Sequence, residues 1–162
     1  MEHLWAPWRN QYVEGKKVRS EHLFYEIGQS TEDEKHHVIY RSKSCYALLN
    51  KYPYNSGHLM VIPYQEISCL QELSESELLD LWATVNEMTQ LLKDAYQPHG
   101  FNVGINMGLG SGAGFPQHLH VHVVPRWKDD ANFLTTTAET RVHPHDLDVV
   151  YKTLKKALQK EI

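Results

Sequence analysis

His118-Leu119-His120-Val121-His122 is the part of this chain whose residue types and spacing can do chemistry. Side chains in a strand alternate between faces, so histidines at i, i+2 and i+4 share one side. Leu119, Val121 and Val123 then point the other way, into a core. The approach is glycine-rich, Gly108-Leu109-Gly110-Ser111-Gly112-Ala113-Gly114. Such a loop lets backbone N–H groups come close to an anion. A row of imidazoles beside an anion-binding loop suggests chemistry on a phosphate.

Neutral imidazole persists at pH 7 and can attack phosphorus without a separate base. The phosphoramidate it forms is high in energy and hands its group to water or another acceptor. A metal site on His118, His120 and His122 is the competing reading, since strand histidines can ligate zinc. Zinc sites usually add a carboxylate or thiolate, and this segment has neither. A binding or regulatory protein with little turnover is a third reading.

The elements that must position these residues are legible in outline. At 162 residues, 41% hydrophobic and 22% charged, the chain reads as one ordered domain over 1–162. A net charge of −4 leaves no electrostatic footprint for a nucleic-acid polymer. No apolar run reaches membrane-span length and no signal peptide is read at the start, so a cytoplasmic protein is expected. Cys45 and Cys69 lie in apolar stretches and read as two buried thiols, not a disulfide.

Residues 1–20, with Leu4-Trp5-Ala6-Pro7-Trp8-Arg9, read as an aromatic segment that docks on the body or a partner. Residues 21–127 form the core and 128–162 a loop and helix. Ser30–Lys35 is a polar loop. Val38–Tyr40 and Cys45–Leu49 read as a hairpin, His58–Pro63 as a third strand and Phe101–Asn106 as an alternating fourth. Ser74 and Glu77 fit a capping box that opens a helix over 75–96, ended by Pro98 and Gly100. The histidine run is the fifth strand, and Asp146 to Lys160 a closing helix. The fold class is α+β, an antiparallel sheet of about five strands with two main helices.

The histidine run resembles the motif of the histidine triad family of nucleotide hydrolases and transferases. Further stretches are similar to it: Ala47–Asn50, Tyr54–Pro63, Gly100–Asn106, Pro125-Arg126-Trp127 and Asn132-Phe133. The tryptophan-bearing opening is similar to the branch that includes bacterial diadenosine polyphosphate phosphorylases. The resemblance implies that His120 attacks an α-phosphorus and carries a nucleotidyl intermediate, its Nδ1–H held by a backbone carbonyl. It implies that His118 and His122 flank and orient it, and that His58 supports the triad from a neighbouring strand. Asn50 matches a ribose-binding residue, and Leu23, Phe24, Ile27 and Leu48 an apolar slot for a purine. Asn106 and Ser111 are candidate phosphate donors; Gln117 is adjacent but alternates to the opposite face. The implied partners are a nucleotide substrate, cleaved as a polyphosphate or phosphoramidate, and a second copy of the chain. In that homodimer Trp82, Val85 and Met88 would be subunit contacts.

Departures from the family matter. Many relatives hold a structural zinc through groups matched here by His22, Tyr25, Glu66 and His118. Both thiolates of that set are gone, so no metal and no cofactor are expected. A glutamine that binds phosphate in some branches is matched by Gly114. His36-His37 and His143-Pro144-His145 read as caps or surface decoration, and Asp129-Asp130 beside Trp127 as a turn.

Overall fold

The computed structural model describes residues 20–128, 130 and 145–159. The readings on Leu4–Arg9, Asp129, Asn132-Phe133 and His143-Pro144 lie outside the described residues. A sheet of strands β1 (Val38–Arg41), β2 (Cys45–Leu49), β3 (Leu59–Pro63), β4 (Gly100–Ile105) and β5 (Val121–Arg126) has the order β1-β2-β3-β5-β4. Every neighbouring pair is antiparallel. The helices are α1 (Leu23–Gln29), α2 (Asp33–His36), α3 (Glu75–Tyr96) and α4 (Leu147–Leu158). This is the expected α+β architecture.

β2 and β3 are apolar along their whole length because both faces of the sheet are covered. Cys45, Ala47 and Leu49 of β2, with Leu59 and Val61 of β3, join a core with α3 and α4. The alternate residues Tyr46, Leu48, Met60 and Ile62 join Phe24 and Ile27 of α1 in a second cluster on the other face. Leu119, Val121 and Val123 lie in the first core, as their alternation requires. The triad is thereby turned toward the α1 face.

Helix α3 begins at the expected place. Ser74 Oγ accepts from the Glu77 N–H, and the Glu77 carboxylate accepts in return from the Ser74 N–H. It stops at Gln97, which takes a left-handed conformation at φ 47°. Asp146 caps α4 through the Asp148 N–H.

Several expectations are corrected. β5 starts at Val121, so His118 and His120 precede the ladder rather than lie within it. Pro63 ends β3 with no N–H to give, and its carbonyl oxygen is taken by a histidine side chain. Helix α1 was not anticipated, and part of the Ser30–Lys35 loop is helix α2. Seven residues carry too little periodicity to announce α1; Arg41 holds it in place. Its guanidinium donates to the carbonyls of Ile27, Gly28 and Ser30 at the helix end and pairs with Asp33. Cys45 is a buried free thiol that donates to Thr84 Oγ1, but Cys69 is only half-buried because it caps a short turn with Glu72. Val85 and Met88 are core residues of this chain, not subunit contacts, whereas Trp82 is 42% exposed.

Candidate active site

The turn before β3 places His58. Gly57 adopts φ +78°, and a Cβ there would lie 3.1 Å from Leu92 Cδ2, so glycine alone fits without strain. His58 is then buried to 1% exposure beside the triad. Its Nδ1 accepts from the Tyr54 backbone N–H at 3.0 Å, with Asn50 Nδ2 3.3 Å away. Asn50 is oriented independently, because its Oδ1 accepts from the Tyr52 N–H at 2.9 Å. The Nε2 of His58 meets His122 Nδ1 at 3.0 Å.

The three triad rings are each tied to protein through one nitrogen. His120 Nδ1 donates to the carbonyl of His118 at 2.8 Å. His118 Nε2 donates to the carbonyl of Pro63 at 2.9 Å. His122 is tied through His58. Its Nε2 and the Nδ1 of His118 are buried with no hydrogen-bond partner among the described residues. The His120 and His122 rings stand edge to face at 4.9 Å. Burial disfavours the charged imidazoles and lowers all three pKa values, that of His122 to about 4, with His120 adding to the effect. Three neutral imidazoles line the site near pH 7.

Aromatic rings close its flanks. Phe24 packs on His120 at 5.3 Å and on His118 edge-on at 5.8 Å. Phe115 packs on Phe24, and Tyr54 tilts over His58 at 4.7 Å. Tyr54, Phe115 and the Pro63 carbonyl were not anticipated. Ring contacts and backbone groups leave no spacing signature by which a sequence reading could have found them.

The other expected site residues are placed less uniformly. Phe24, Ile27 and Leu48 are packed in the second cluster, with Leu23 partly buried against it. Asn50 adjoins His58. Asn106 is half-buried beyond β4. Ser111 donates its hydroxyl to the Gly108 carbonyl, and Gln117 donates to the Glu21 carbonyl, so both side chains are engaged away from the histidines. A cavity of about 220 Å³ is lined by His58 together with Asn50, Ser56, His145 and Leu147.

The residues at the family's zinc positions do not fit zinc. His22 Nδ1 pairs with Glu66 at 2.8 Å, Tyr25 is 44% exposed, and His118 spends Nε2 on a carbonyl. Among the described residues no group of three or more histidine, cysteine or acidic side chains is arranged to hold a metal ion, the triad included.

The HIT domain family model matches residues 31–129. An AP-4-A phosphorylase of Mycobacterium tuberculosis is 42% identical over 152 residues, covering 89% of this chain and 77% of the relative. An asymmetrical bis(5'-nucleosyl)-tetraphosphatase of Schizosaccharomyces pombe is 34% identical over 119 residues, covering 74% and 58%. Among solved structures, a histidine triad nucleotide-binding protein of Sulfolobus tokodaii superimposes with TM-score 0.63 at 26% identity, covering 76% of this chain and 84% of that one. A zinc-bound histidine triad protein of Mycobacterium smegmatis matches with TM-score 0.63 at 25% identity, covering 86% and 94%. No helix among the described residues is long and apolar enough to cross a membrane.

Proposed function

Because this chain belongs to the HIT domain family, we propose that it cleaves a nucleoside polyphosphate at the α-phosphate through a nucleotidyl-His120 intermediate. The observation that carries this reading is the His120–His118 hydrogen bond. With Nδ1–H fixed on a carbonyl, the lone pair of the neutral ring is on Nε2, free to attack phosphorus. Burial keeps the ring unprotonated and ready at neutral pH.

In this reading His122 hydrogen-bonds to the phosphoryl or leaving oxygens, and the His118 carbonyl stabilises the imidazolium-like adduct. The purine rests against α1 and the β2 residue Leu48, with Leu23 and Phe24 nearest, while Asn50 faces the ribose. The mycobacterial relative's name favours a dinucleoside polyphosphate as substrate and phosphate as an acceptor. Water is the other acceptor. A homodimer in the cytoplasm completes the reading. The exposed edge strand β4, with Val103, and the exposed Trp82 of α3 offer apolar surface to a second copy.

The test is product analysis with diadenosine tetraphosphate, with and without inorganic phosphate, for wild type and His120→Gly. The expected result is ATP from wild type only, together with AMP, or with ADP when phosphate is present. Equal turnover by His120→Gly would contradict the nucleophile.

A further inference from the structure

The turn before β3 is fastened to the far end of β5 by side chains outside the histidine cluster. Asn55 Nδ2 donates to the Pro125 carbonyl at 3.1 Å and to the Asp130 carboxylate at 2.9 Å. Its Oδ1 accepts from the Ser56 N–H at 3.2 Å, so the amide is oriented from both ends. Asp130 is gripped in turn. Arg126 donates to it through Nε at 2.6 Å and a terminal nitrogen at 2.7 Å, and the Trp127 N–H at 3.2 Å. The other terminal nitrogen of Arg126 holds Asn102 of β4 at 2.6 Å. The Asp130 side chain is 11% exposed, so these bonds stand in for the water it has lost.

We propose that Asn55, Asp130 and Arg126 form a clasp that positions the turn carrying His58 for catalysis, which makes Asn55 and Asp130 positioning residues for the reaction. The proposal rests on the function argued above. The link to His58 is short. The Asn55 carbonyl accepts from the His58 N–H at 3.2 Å, so one residue holds both the clasp and the backbone of the histidine. The turn is also pressed close. A Cβ on Gly57 would lie 3.4 Å from Pro125 Cγ and 3.1 Å from Leu92 Cδ2, which wedges the turn between β5 and α3.

Opening the clasp costs the fold less than it costs the geometry. The Arg126 side chain is 36% exposed, so water can take over the bonds it loses with Asp130. The turn, no longer tied through Asn55 to Asp130, can then lift from β5 and carry His58 with it. A displacement of about 1 Å at a supporting group is enough to slow a reaction by about 100-fold. Substrate binding should suffer less, because the α1 face assigned to the purine takes no part in the clasp.

The test is steady-state kinetics with diadenosine tetraphosphate on Asn55→Ala and Asp130→Ala, alone and combined, beside amide hydrogen exchange. Each single variant should lower kcat by about 10- to 100-fold and raise KM by a smaller factor. The double variant should be no slower than the slower single, since either change opens the same clasp. Asp130→Glu, which keeps a carboxylate, should recover part of the lost rate. The His58 backbone N–H should exchange faster in each alanine variant than in wild type, a reading that needs no turnover. Wild-type kcat in either single variant, additive losses in the double, or unchanged His58 exchange would overturn the clasp. An inactive wild type would contradict the proposed function instead, and the exchange rates would still decide the clasp. If Asp130→Ala does not fold, Asn55→Ala carries both measurements.

Discussion

The Nδ1 of His120 lies 2.8 Å from the carbonyl oxygen of His118, a residue whose own ring is pinned to the Pro63 carbonyl. The first contact sets the tautomer of the central imidazole, and the second holds the residue whose carbonyl does so. The irregular backbone before Val121 makes this possible, since a ladder-paired His118 carbonyl would face a neighbouring strand.

The first prediction concerns pH. Burial lowers the His120 pKa below the ordinary 6.5, and the unprotonated form is the nucleophile. The acidic limb of kcat/KM should therefore fall below the ordinary histidine range. Folding stability should drop over the same interval: as pH falls through 6.5 the unfolded chain takes up protons that the buried triad refuses. Measured pH–rate and pH–stability profiles check both, and an acidic limb above 6.5 would contradict the burial argument.

Arg41 should matter to substrate binding though it lies outside the histidine cluster. It holds the C-terminal end of α1, whose Phe24 packs on His120. Arg41→Ala should cost about 2 kcal/mol in urea unfolding, the scale of lost hydrogen bonds to a charged group. KM should rise more than kcat falls.

Gly57→Ala should be worse than its size suggests. The left-handed backbone costs about 1–2 kcal/mol for a residue with a Cβ, and contact with Leu92 adds to it. Because His58 follows directly, kcat should fall along with stability. Unfolding curves and steady-state kinetics on one preparation check this.

Met88 and Trp82 separate core from interface. Met88 is fully buried, so Met88→Ala should cost about 3 kcal/mol at any protein concentration. Trp82→Ala should change the stability of the isolated subunit by about 0.5 kcal/mol or less. Any larger loss should depend on concentration, as expected for a subunit contact.

The legible parts of the sequence were those where a local rule and a tertiary demand agreed. The Ser74–Glu77 box marked the start of α3 to the residue, and alternation placed Leu119, Val121 and Val123 in the core opposite the histidines. Residue type and spacing singled out the triad, the family resemblance added His58 and Asn50, and these side chains lie together around His122 and His120. Helix α1 was hidden because Arg41, a dozen residues on, stabilises it, and the late start of β5 depends on the Pro63 carbonyl. The apolar stripe of α3 could not say whether Val85 and Met88 met their own sheet or a partner. Ser111 and Gln117 were suggested by proximity in sequence, but each finds a carbonyl elsewhere.

The covalent step is the centre of the account, and intact mass spectrometry tests it most directly. Wild type mixed briefly with diadenosine tetraphosphate and quenched without acid should gain the mass of one AMP, and His120→Gly should gain none. An adduct on both proteins, or wild-type turnover with no adduct under conditions that trap phosphohistidine, would contradict nucleophilic catalysis at His120.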